Sequence, residues 1–129
     1  MIALRAFTAF GDVFFSSSYG DKFYRFTITD EELKNYPLWF PDQDTPPLAP
    51  RKAVSSAREV LKTLVRDADK WKLQEIGLVP IGSGESKWVY TVQFHPPLPP
   101  EGIDGRIPNL KLVVLMNGTA VKPKIAVEK

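Results

Sequence analysis

Cysteine is absent from this 129-residue chain, and histidine occurs once, as His95. Those two scarcities remove disulfides, thiolate catalysis, cysteine-ligated zinc or iron–sulfur sites, and any paired-histidine acid–base or His-rich metal centre. They leave the compartment open, and a Ser-His-Asp triad needs only one histidine. An excess of one charge is also lacking: 17 Lys and Arg stand against 15 Asp and Glu. Nucleic-acid binding draws much of its affinity from a dense basic field, so the balance argues against a nucleic-acid partner. No apolar run approaches the ~18 residues that cross a bilayer. The stretch from Met1 to Phe10 carries one basic residue, and Asp12 cuts its apolar character short, which makes it a poor secretory leader.

Proline is what the chain has in excess, with 12 residues, about twice the usual ~5%. Apolar residues at 43% and charged residues at 25% are otherwise ordinary for one globular domain. Five prolines fall in 37–50 and five in 96–109. The first group reads as an extended connector, since each proline fixes its own φ. Its Leu38, Trp39, Phe40 and Leu48 are too apolar for a free linker and should hold it against the domain. The second group reads as a long loop between consecutive strands, a length that is usually functional or disordered.

Regular elements follow from periodicity. Residues 1–22 alternate poorly and are set apart from a single domain over 23–129, with Gly11-Asp12 and Gly20-Asp21 as turn signals around an optional hairpin. Phe23 to Thr29 alternates with period two, as a half-buried strand does. Thr29-Asp30-Glu31-Glu32 has the form of a capping box, predicting a short helix that Pro37 ends. From Pro50, Ala53, Val54, Ala57, Val60, Leu61, Leu64, Val65 and Ala68 recur at three- and four-residue spacing, which predicts one main helix over about 50–67. Trp71 to Ile81 reads as a strand with a register fault, for which a bulge near Gly77 is the simplest cause. Lys87 to His95 alternates cleanly, with Trp88, Tyr90, Val92 and Phe94 toward a core and Val89, Thr91, Gln93 and His95 toward water. Lys111 to Met116 is a continuous apolar strand, Asn117-Gly118 a hairpin turn, and Thr119 to Val127 its return. The sum is an α+β sandwich: an antiparallel sheet of three to five strands on one helix.

The order of Pro50-Arg51-Lys52-Ala53, Trp71-Lys72-Leu73, Trp88-Val89-Tyr90-Thr91-Val92-Gln93-Phe94 and Val113-Val114-Leu115-Met116-Asn117-Gly118 resembles small PepSY-like and cystatin-like domains. The lead-in from Phe26 to Leu48 looks like that of bacterial proteins of this build, planctomycetal ones included, many of them exported. The resemblance covers a little over half the chain and rests on packing residues. It implies a non-enzymatic role, peptidase inhibition or protein binding, and a lean toward an exported location. It transfers no catalytic residues, and the Pro-rich insert at 96–109 departs from the compact hairpin of that build.

Individual residues carry weak signals. His95 ends the wet face of its strand, where a general base would need partners that no spacing supplies. Ser83 in Gly82-Ser83-Gly84-Glu85 matches neither a phosphate loop nor a nucleophile elbow, so a hairpin turn accounts for it. Asp42 with Asp44 and Asp67 with Asp69 fall short of a calcium loop. Trp39 and Phe40 either pin the connector or, with His95, Pro97 and Pro99, mark a partner surface. Arg51, Arg58, Lys62 and Arg66 form a basic helix face, read first as solvated. No catalytic, cofactor or metal set emerges. The leading expectation is a non-enzymatic protein- or peptide-binding module. The alternatives are a small-molecule or enzymatic sandwich with a pocket near His95 and Tyr90, and a structural protein that associates through the Thr119–Val127 edge, as a homodimer would.

Overall fold

The computed structural model describes residues 12–98 and 107–127. Its elements run β1 (Val13–Tyr19), β2 (Lys22–Ile28), α1 (Pro50–Leu64), β3 (Lys72–Pro80), β4 (Trp88–His95), β5 (Leu110–Leu115) and β6 (Lys124–Val127). The fold is α+β, but the strands form two antiparallel three-stranded sheets, ordered β1-β2-β6 and β3-β4-β5, instead of one. The sequence divides them at Pro123. The return from Asn117-Gly118 first touches β5, through Leu115 N–H to the Thr119 carbonyl (2.8 Å) and Val121 N–H to the Val113 carbonyl (2.9 Å). Proline then breaks the ladder, having no N–H to donate, and the chain resumes as β6 beside β2. The expected continuous strand over Thr119–Val127 is therefore split between the two sheets.

The first sheet takes in a stretch that sequence had set apart. Gly20, at φ 63°, turns β1 back onto β2, and Val13, Phe15 and Ser17 face Ile28, Phe26 and Tyr24 across the pair. All six are buried. The two sheets meet where β1 touches β5, and the Lys111 N–H donates to Ser17 Oγ at 3.2 Å.

The helix ends three residues before the expected position. It stops at Leu64 because Val65 is already extended (φ −135°, ψ 158°) and Asp67 is left-handed (φ 52°). A 3₁₀ turn at Ala68–Lys70 follows and sinks Trp71, 4% exposed, into the core. Ala53, Ala57, Val60 and Leu61 are the buried stripe of α1, which packs on β4 and β5. The capping box forms as expected. Thr29 N–H donates to Glu32 Oε1 (3.0 Å) and Glu32 N–H to Thr29 Oγ1 (3.2 Å). It starts only one 3₁₀ turn, Glu31–Leu33, since Asn35 goes left-handed at φ 56°.

Two expectations for the second sheet need correction. The register fault in β3 lies between Leu73 and Glu75, not at Gly77. The bulge sets Leu73, Ile76 and Leu78 opposite Phe94, Val92 and Tyr90, so all three share one face. Gly77 has a separate duty: a Cβ there would stand 2.9 Å from Thr91 Oγ1. The face of β4 expected to be wet is dry over its first half, with Val89 fully buried and Thr91 4% exposed, while Gln93 and His95 are half-buried. β4 is the central strand, and its alternation marks two different buried faces.

Candidate functional site

The site begins with three aromatic residues brought together from distant parts of the chain. Tyr19 and Tyr24 flank the β1–β2 turn on one face of the first sheet, because Tyr19 opposes Lys22 and Ser17 opposes Tyr24. Trp71 arrives on the 3₁₀ turn after α1, and its ring meets that of Tyr19 edge-on, with centroids 5.0 Å apart and planes at 69°. Edge-to-face pairs of this kind fix both rings. The strand β4 ends beside them, and its continuation supplies Pro96 and Pro97. Together these residues line an open cleft of about 480 Å³. That volume lies within the ~300–1,000 Å³ of small-ligand sites.

Charges of both signs stand around the aromatic floor. Asp21 and Lys22 come from the β1–β2 turn, Arg66 and Asp67 from the segment that leaves α1. None of the four is ion-paired within the described residues. Their formal sum is zero, so the cleft selects for polarity and shape and not for one charge. The Tyr24 hydroxyl adds a donor. Tyr24 is 1% exposed and its hydroxyl has no hydrogen-bond partner among the described residues, yet it lines the cleft. Burial raises its phenol above the ordinary 10.0, and Tyr19 and Asp21 nearby add to the rise. At neutral pH it is therefore an un-ionised donor. The Tyr24 ring is buried while its hydroxyl opens onto the cleft, so the hydroxyl offers a free donor to an acceptor placed there.

The basic helix face does not form as the line of cations that four-residue spacing implies. Arg51 is exposed, and Lys62 is held by Glu59 at 2.8 Å. Arg58 turns inward: Nη1 donates to the Trp71 carbonyl at 3.2 Å, and the guanidinium lies 4.9 Å from the Phe94 ring centroid. It walls a second, smaller cavity of about 230 Å³ with Lys62, Ala68 and Asp69. Only Arg66, past the helix end, reaches the aromatic cleft.

The candidate partner surface is likewise divided. Trp39 is pinned at the other end of β4, edge-on to Trp88 at 5.2 Å, with its backbone N–H donating to the Ser86 carbonyl at 2.9 Å. Phe40 beside it is 48% exposed. His95 turns Nδ1 to the Pro96 carbonyl at 2.8 Å and does not line the cleft, whereas Pro97 does. Pro99 lies outside the described residues. Tyr90 and His95 stand on opposite faces of β4, and the Tyr90 hydroxyl is spent on the Leu48 carbonyl, so the two share no pocket. Ser83 sits in an exposed turn whose Gly82 has φ 77°. Among the described residues no group of three His, Asp or Glu could hold a metal, and no helix is long and apolar enough to cross a membrane.

Sequence reasoning missed Tyr19, Tyr24, Asp21 and Lys22 as site residues. Their signal was a Gly-Asp turn flanked by tyrosines, legible as a turn but not as one wall of a cleft. Compared with family models, curated proteins and solved structures, the chain matches none.

Proposed function

We propose that the chain is a peptide-binding module and that the cleft at the end of α1 is its recognition site. The observation that carries this reading is the Tyr24 hydroxyl, which opens onto an aromatic cleft without a partner among the described residues, with unpaired charges beside it. Aromatic surface supplies contact area at low entropic cost, and a few placed polar groups supply orientation. The rim segments are short turns fixed by proline or by left-handed residues, so little ordering is needed on binding. Binding fits better than catalysis because the lone histidine stands outside the lining with Nδ1 already engaged. The helix followed by an antiparallel meander is in keeping with a cystatin-like or PepSY-like role in binding or modulating a peptidase, and an exported location belongs to the same proposal.

Panning a random peptide library against the folded chain tests the reading. Enriched peptides should compete for one site, change Trp71 fluorescence and lose affinity for Tyr19→Ala. A library that yields no competing peptides, or peptides indifferent to Tyr19→Ala, would refute it. A second reading, association through a sheet edge, is favoured by β6, where Ile125 is 49% and Val127 60% exposed. Sedimentation equilibrium of the chain and of an Ile125→Lys, Val127→Lys variant decides it: a dimer lost on substitution would support edge pairing.

A further inference from the structure

Resting on that reading, we infer that the cleft takes a segment in the polyproline II conformation, recognised by its carbonyl groups and proline rings. The alternative way to hold a peptide is to add it as a strand, which needs a row of backbone N–H and C=O groups along the site. This cleft offers few. One wall is Pro96-Pro97, which has no backbone N–H to give. The lining also includes the tight turn at Gly20-Asp21 and the side chains of Tyr19, Tyr24 and Trp71.

A site with ring surfaces and isolated hydroxyl donors suits a ligand that has no hydrogen-bond ladder to complete. A polyproline II segment is such a ligand. It makes no internal hydrogen bonds, leaves its carbonyls free, and is preformed, so it loses little entropy on docking. At 3.1 Å per residue, one turn spans roughly 9 Å, a length suited to an open cleft of about 480 Å³. The edge-on Tyr19–Trp71 pair lines the cleft and offers ring surface against which a proline ring can lie. The Tyr24 hydroxyl then donates to a ligand carbonyl. Because its ionisation is pushed upward by burial, that donor persists well into alkaline solution. The balanced charges of Asp21, Lys22, Arg66 and Asp67 set no net charge requirement on the core of the ligand.

The test is a titration of the isotope-labelled full chain with three blocked peptides: hexaproline, an alternating Val-Thr hexamer and a Gly-Ser hexamer. Amide shifts and Trp fluorescence are the readouts. Hexaproline should perturb Tyr19 to Tyr24, Arg66, Asp67 and Trp71, and the Gly-Ser peptide should not. Tyr24→Phe should weaken hexaproline binding about three- to tenfold, the effect of one lost hydrogen bond, while its unperturbed amide spectrum shows an intact fold. Tyr19→Ala should weaken it further. If the Val-Thr peptide perturbs the cleft and hexaproline does not, the polyproline inference is overturned while the peptide site stands. If no peptide perturbs the cleft, both fall. Hexaproline binding that Tyr24→Phe and Tyr19→Ala leave unchanged also overturns the inference.

Discussion

Two aromatic clusters sit at opposite ends of β4, and they spend their polar atoms differently. At the end where β4 begins, Tyr36 donates to the Trp88 carbonyl at 2.7 Å and accepts from the Met116 N–H at 2.6 Å, while Tyr90 donates to the Leu48 carbonyl. Those bonds tie the Pro-rich connector to the second sheet. Trp39 Nε1 is the exception there, buried without a partner. At the end where β4 finishes, the Tyr19 and Tyr24 hydroxyls make no hydrogen bond among the described residues. One cluster uses tyrosine as a clamp on its own chain; the other holds tyrosine in reserve. Hydroxyls of similar chemistry thus separate a structural role from the binding role we propose by whether the fold has already supplied their partners.

The comparison is most exposed to failure at Tyr36. Tyr36→Phe strips two hydrogen bonds and leaves the Trp88 carbonyl and the Met116 N–H unmatched, so it should cost about 2–4 kcal/mol, read from urea denaturation. A cost below about 1 kcal/mol would show that the clamp does not hold the connector. The same residue sets an alkaline limit. Burial pushes the Tyr36 phenol up to about 12, although the hydrogen bond from Met116 opposes the rise. Below pH ~10 the phenol is protonated in both folded and unfolded chains, and its contribution is fully present. As pH rises from ~10 through ~12 the unfolded chain ionises first, and stability falls by up to about 2–3 kcal/mol. The alkaline slope should be shallower in Tyr36→Phe than in the parent chain.

How far these roles were legible depended on whether local pattern or tertiary placement decided them. The apolar stripe of α1, the capping box of Thr29 and Glu32 and the alternation of β2 are local, and they stand where periodicity puts them. The need for a bulge in β3 was legible because Leu73 and Ile76 could not otherwise share a face; its place at Gln74 was set by pairing with β4. Arg58 shows the opposite case. Its spacing from Lys62 puts both on the helix surface, and only the arrival of Trp71 and Phe94 turns it inward. The cleft itself joins residue 19 to residue 97, a juxtaposition that no local period encodes.

Smaller effects sharpen the contrast between strain and reserve. Gly77→Ala places a methyl 2.9 Å from the buried Thr91 Oγ1, an overpacking that should cost about 1–2 kcal/mol. Gly82→Ala, where nothing lies within 4 Å, tests φ alone. A Gly77→Ala cost below about 0.5 kcal/mol would show that the close approach carries no weight. Tyr90→Phe, which loses the single bond to Leu48, should cost about 1 kcal/mol.

The smallest expected effect is the most informative. Tyr24→Phe keeps the ring that packs beneath the β1–β2 turn and deletes only a hydroxyl that has no partner within the described fold. A hydroxyl open to the cleft is hydrated in the folded and unfolded chain alike, and removing it leaves no protein donor or acceptor unmatched. Stability should therefore stay within about 0.5 kcal/mol of the parent, or rise slightly. Measured beside Tyr36→Phe and Tyr90→Phe under one set of conditions, the three identical deletions rank the hydroxyls by how fully the fold has used them. A loss at Tyr24 equal to that at Tyr90 would mean that its hydroxyl serves the fold after all. The cleft would then lose the donor that sets it apart from the clamp at the other end of β4.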